Sequence, residues 1–147
     1  MSKINNTNKD TTNLDDQLTF AFPDLGDLNQ QMIDITDLIF RGVEYNIGID
    51  ICNRSRELSK LYVKAKQYEK AVDILNIMMD YCYKVDGLDN GHYVFKDVEF
   101  VIRHYIITHQ KDKIILLLEK MIDRYPTYIQ ISLWQEQLEK SKSIKTP

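Results

Sequence analysis

The sequence predicts an all-α fold, a short stack of antiparallel helix hairpins with about six helices. Apolar residues recur at steps of three and four from Leu28 to Leu138, the period of one face of an α-helix. The three prolines stand only at positions 23, 126 and 147, which leaves long segments free to be helical. No stretch of useful length alternates apolar with polar residues as a half-buried strand does. At 147 residues, 44% hydrophobic and 28% charged, the chain is most simply one domain able to bury a real core.

Residues 1–26 read as a flexible, acidic leader, since its first part has too little apolar content to offset the entropy of ordering. Within it, Leu18–Leu28 is apolar and acidic together and is broken by Pro23 and Gly26, the character of a segment that packs across a neighbouring surface. The helical domain spans 27–141. Asp27 is the expected N-cap of a first helix, with Leu28, Met32, Ile35, Ile39 and Val43 on one stripe. Ile33, Leu38 and Phe40 widen that stripe, so the helix is expected to bury two sides and to fade over Gly42–Gly48. A second helix follows from Ile49 to Lys66 and a third from Gln67 to Val85, with Ser59 and Ala71 small where the two must approach. Gly87–Gly91, GLDNG, is the strongest breaker. A fourth helix carries Val94, Val98, Val101, Ile102 and Tyr105, and a fifth, Ile114–Tyr125, turns Leu117, Leu118, Met121 and Ile122 inward. Pro126 stops it, and a last helix from Thr127 to Ser141 holds Trp134 as a core residue before residues 142–147 fray.

No run approaches the roughly 18 apolar residues a membrane span needs, and the polar N-terminus MSKINNTNKD is not a signal peptide. A cytoplasmic protein without membrane contact is expected. The net charge of −3 hides an asymmetry: residues 1–50 carry three basic and nine acidic side chains, the remainder sixteen and thirteen. An acidic leader on a mildly basic body argues against nucleic acid as the main partner. Cys52 and Cys82 lie within apolar helical patterns and read as buried, reduced thiols; no CxxC or flanking His suggests a metal site. His104 and His109 are five apart and so lie on different faces of a helix, while His92 sits beside the GLDNG loop. Carboxylates are scattered and no glycine-rich phosphate loop occurs. No enzyme activity, cofactor or metal is expected.

The chain repeats itself at an offset of 43 residues: Leu58 falls on Val101, Tyr62 on Tyr105, Ala71 on Ile114, Leu75 on Leu118, Met78 on Met121 and Tyr83 on Pro126. The first unit, with Leu58-Ser59-Tyr62 followed by Tyr68-Glu69-Lys70-Ala71, resembles the tetratricopeptide repeat, a helix hairpin with a small residue at the helix contact. The second unit, with Tyr105, Leu118, Met121 and Pro126, is more degenerate, having Ile102 and Ile114 where small residues belong. The offset exceeds the family's usual period of about 34 residues, and an insertion around Val85–Tyr93 would account for that. The first and last helices are the natural caps of so short a stack.

The resemblance implies a concave groove, lined by the first helix of each unit, that binds an extended peptide of another protein. Carried over by position, its lining would be Asn53, Arg56, Lys60 and Lys64, then Lys96, Glu99, Arg103, Ile106 and Ile107. Such a strip, basic on an acidic protein, would favour an acidic partner segment, with Ile106 and Ile107 as apolar anchors. The family's clamp for a terminal carboxylate pairs Asn with Lys, and only Asn53 could supply an Asn here, which argues against that use. The expected role is thus an adaptor, assembly factor or structural subunit. The leader's Phe20 and Phe22, flanked by Asp15, Asp16, Asp24 and Asp27, have the character the groove would accept, from the same chain or a second copy. Gln17–Phe22 is also similar to the short peptides that dock on bacterial sliding clamps. The alternative roles are a permanent subunit of a larger assembly, a viral one included, joined through its apolar end helices, or a regulator that docks through the N-terminal leader.

Overall fold

The structure, a computed structural model, describes residues 24–41 and 45–143. Among these residues there are six helices and no strand: α1 Leu25–Phe40, α2 Tyr45–Lys64, α3 Tyr68–Lys84, α4 Gly91–Ile107, α5 Lys111–Arg124 and α6 Ile131–Ser143. The fold is all-α, and helices adjacent in sequence pack against one another. Phe20 and Phe22, Val43 and the clamp-like hexapeptide lie outside the described residues.

Several boundaries differ from the sequence expectation, each for a local reason. Asp24, not Asp27, caps α1: its carboxylate accepts from the Gly26 N–H at 2.9 Å, so Leu25 and Gly26 form the first turn. Helix α1 buries Leu28 and Ile35, but Ile33 is 60% and Phe40 83% exposed, so it does not bury two sides. Gly48 does not end a helix; it lies inside α2, where a Cβ would stand 2.8 Å from the Tyr81 hydroxyl of α3. Close approach, rather than chain reversal, is what that glycine serves. Residues 125–130 form turns, so α6 begins later than expected and runs on to Ser143.

The pairing of α2 with α3 is antiparallel: Ser59 meets Ala71 near the turn, and Cys52 meets Cys82 far from it. Ser59 Oγ donates to the Ala71 carbonyl at 3.0 Å, a contact that only small side chains on both helices permit. Of the helix pairs adjacent in sequence, α2–α3 is the most closely packed and α4–α5 the least. The cause is visible in the residues, since the bulkier Ile102 and Ile114 stand where Ser59 and Ala71 do.

The 43-residue offset is imprinted on the backbone. Lys66 and His109 are the only described non-glycine residues with positive φ, 60° and 57°, and both close three-residue turns. Gln67 and Gln110 then precede α3 and α5 with near-identical dihedrals, and each donates its N–H to a tyrosine carbonyl, Tyr62 or Tyr105, at 2.8 Å. Both hydroxyls of that tyrosine pair reach an asparagine of the preceding hairpin: Tyr62 donates to Asn29 at 2.7 Å, and Tyr105 accepts from Asn76 at 3.0 Å. Contacts that skip one helix arrange α1, α3 and α5 in one row and α2, α4 and α6 in another. Lys70 donates to Asn29 across 41 residues, Arg56 pairs with Asp97 across 41, and Lys120 with Asp80 across 40. Phe95 stacking on Trp134 carries the second row to α6. Only residues 85–90 separate α3 from α4, so the long period lies largely in long helices rather than in an insertion reaching Tyr93.

At the mouth of α4 the chain passes close to a neighbour. A Cβ on Gly91 would stand 2.7 Å from Tyr128 Cγ, a ring atom fixed by packing. Gly91→Ala therefore lowers the free energy of unfolding by about 1–3 kcal/mol through overpacking. Urea denaturation followed by circular dichroism checks it, and an unchanged midpoint would refute the close fit.

Candidate partner-binding groove

Between α2 and α4 lies a cavity of about 560 Å³. Val63, Leu75, Phe95 and Phe100 supply its apolar walls, and Lys60, Lys96 and His92 its polar lining. A second recess of about 340 Å³ lies between α4 and α6, and Phe95 walls both, so the two form one surface along the α2–α4–α6 row.

The residues chosen from sequence divide between these places. Arg56, Lys60 and Lys96 come together in the first cavity, whereas Glu99, Arg103 and Ile106 line the second. Asn53 and Lys64 are exposed on α2 but line neither, and Ile107, 70% exposed, also stands apart from both. Asp24 of the leader motif is engaged in capping α1.

Arg56 is not a free cation. Its Nε donates to both Asp97 oxygens at 3.2 Å and its Nη2 to Asp97 Oδ2 and the Tyr93 carbonyl, each at 2.9 Å. The guanidinium also lies 4.5 Å over the Tyr93 ring. Burial works against its charge, but the Asp97 carboxylate and the Tyr93 contacts more than offset this, so Arg56 holds its proton more tightly than free arginine. Around the α4–α6 recess, Glu99 and Glu136 match Arg103 and Lys140. The strip is therefore less basic than five cations against one carboxylate; within the α2–α4 cavity the uncompensated charge is Lys60 and Lys96, for which no carboxylate pairs among the described residues.

Asp97 was legible in principle. It sits on the buried stripe of α4 with Val94, Val98 and Val101, and a carboxylate on such a stripe requires a cation from the facing helix. Phe95, Phe100 and His92 gave no comparable signal, because which side of α4 faces the cavity depends on the angle of α2. His104 lies elsewhere, its Nε2 2.8 Å from Glu69 on α3. Among the described residues no three metal-ligating side chains cluster, and no helix is long and apolar enough to cross a membrane.

The fold defines a class, an all-α bundle of six helices among the described residues, compatible with a helical repeat. Compared with known proteins, the chain matches no family model, no curated protein and no solved structure.

Proposed function

We propose that this chain is a non-catalytic interaction module, of a tetratricopeptide-like kind, that holds an acidic segment of another protein. The observation that carries the reading is the α2–α4 cavity, where two uncompensated lysines rim apolar walls of size suited to an aromatic or aliphatic side chain. An extended segment with carboxylates flanking a bulky residue matches it in both charge and shape, and Phe95 leads such a segment on towards Ile106 in the α4–α6 recess.

The test is a titration of the full chain with a synthetic acidic peptide bearing two aromatic residues. Lys60→Glu with Lys96→Glu weakens binding tenfold or more, and the wild-type affinity falls as salt is raised. Lys64→Glu, on the same helix but outside the cavity, has a smaller effect. Equal losses from the two substitutions, or an affinity indifferent to salt, would overturn the groove as the binding surface.

A second reading rests on a different observation. Ile33 and Phe40, with half-buried Ile77 of α3, leave an apolar face at the α1 end of the stack. Such a face suits a permanent subunit. Light scattering of the purified chain bears on it: self-association abolished by Phe40→Glu favours this reading, and a wild-type monomer removes its support.

A further inference from the structure

We propose that Cys52 and Cys82 form a redox-active thiol pair, Cys52 reacting with a hydroperoxide and Cys82 resolving it to an intramolecular disulfide that ties α2 to α3. The proposal is independent of what the groove holds.

The two sulfurs lie 3.0 Å apart across the most closely packed hairpin, 30 residues apart in the chain, and both side chains are fully buried. A disulfide needs about 2.05 Å, so closure asks for an approach of about 1 Å, within reach of small side-chain rotations. At 3.0 Å one thiol can donate to the other, so the two sulfurs are already in contact before any oxidation.

The surroundings of the pair are asymmetric. Arg56 lies one turn along α2 from Cys52, and its charge acts on that thiol together with the Tyr93 hydroxyl. Among the described residues that hydroxyl has no hydrogen-bond partner of its own, which makes it the donor a Cys52 thiolate would take up. The facing Cys82 thiol, then Arg56 and Tyr93, favour the Cys52 thiolate against the opposing effect of burial. Cys82 is pushed up by the facing Cys52 and by burial, against the Arg56 charge, which reaches both thiols. The Tyr93 hydroxyl reaches Cys52 and not Cys82, which makes Cys52 the thiol placed to attack and Cys82 the one to resolve. Arg56, Tyr93 and Asp97 also line the α2–α4 cavity, so residues that act on Cys52 are themselves part of the wall of an open recess that a small oxidant can enter.

The chemistry closes in two steps. The Cys52 thiolate attacks one peroxide oxygen, the O–O bond breaks, and the leaving oxygen takes a proton, giving Cys52 sulfenic acid and water or an alcohol. Cys82 sulfur then attacks the sulfenic sulfur, the S–O bond breaks, and a second water leaves with the Cys82 proton. The thiol pair loses two electrons and the peroxide gains them.

Intact mass spectrometry of the full chain after stoichiometric hydrogen peroxide tests this. The expected product is a monomer lighter by two hydrogens, without thiols that alkylate after unfolding, restored by dithiothreitol and with a raised unfolding midpoint. Two alkylatable thiols after treatment, disulfide-linked dimers, or a gain of oxygen would each overturn the pair. The order of events is read from Cys82→Ser, which should accumulate a dimedone adduct at Cys52, and Cys52→Ser, which should accumulate at least fivefold less at Cys82. Equal adducts would overturn the assignment of Cys52 as the attacking thiol, and the wild-type mass stands whether or not either variant folds.

Discussion

Trp134→Ala destabilises the protein by about 3–5 kcal/mol. The indole is 3% exposed and is enclosed by three rings: Tyr128 at a centroid distance of 4.9 Å, Phe95 at 6.2 Å and Tyr125 at 6.3 Å. These rings belong to α4 and to the 125–130 linker, so Trp134 ties α6 to both, in addition to the packing of α6 on α5. Truncation removes both the buried area and the offset ring contacts, and the rigid wall around it cannot collapse into the gap. A domain whose total stability is about 5–15 kcal/mol has few single sites of this weight. Urea denaturation by circular dichroism gives the magnitude, and limited proteolysis shows whether α6 detaches first. Trp134→Phe is the control. It keeps a ring in the cluster and deletes an indole N–H that is buried without a hydrogen-bond partner among the described residues, so its cost stays within about 1.5 kcal/mol. A loss under about 1 kcal/mol for the alanine variant would mean that α6 is not held by this residue.

What the sequence made legible was whatever repeats. The 43-residue offset carried the hairpins, the paired tyrosines and the positions of Ser59 and Ala71, because each reflects a local rule of helix period or close packing. What it concealed depends on a second helix. Gly48 looks like a breaker until Tyr81 is found against it, and Phe40 looks like a core residue until α1 proves to have nothing on its outer face among the described residues. The groove shows the same division. Lys60 and Lys96 could be placed on the right helices by register alone, whereas the loss of Arg56 from the free charge required knowing that Asp97 faces it. The thiol pair is the extreme case: two apolar-patterned cysteines read as inert until the antiparallel register sets one sulfur on the other.

Asp97→Asn separates the groove's charge from the fold's stability, moving the two in opposite directions. The Arg56–Asp97 pair is largely enclosed, with side chains 25% and 11% exposed, and it is the polar tie between α2 and α4. Removing the carboxylate's charge leaves a half-buried guanidinium without its counter-ion. For a fully buried pair that costs about 3–5 kcal/mol, and the partial exposure here brings the expectation to about 2 kcal/mol. Replacing both partners, Arg56→Met with Asp97→Leu, costs much less than the sum of the single changes, because no orphaned charge remains. The same Asp97→Asn change adds a positive charge to the cavity that already presents Lys60 and Lys96. If the groove holds an acidic segment, the variant binds it more tightly, by roughly threefold to tenfold, with a steeper salt dependence. Calorimetric titration and urea denaturation of the same preparation read the two effects together. Weaker binding that tracks the lost stability would assign the pair a purely structural role and count against electrostatic capture in the α2–α4 cavity.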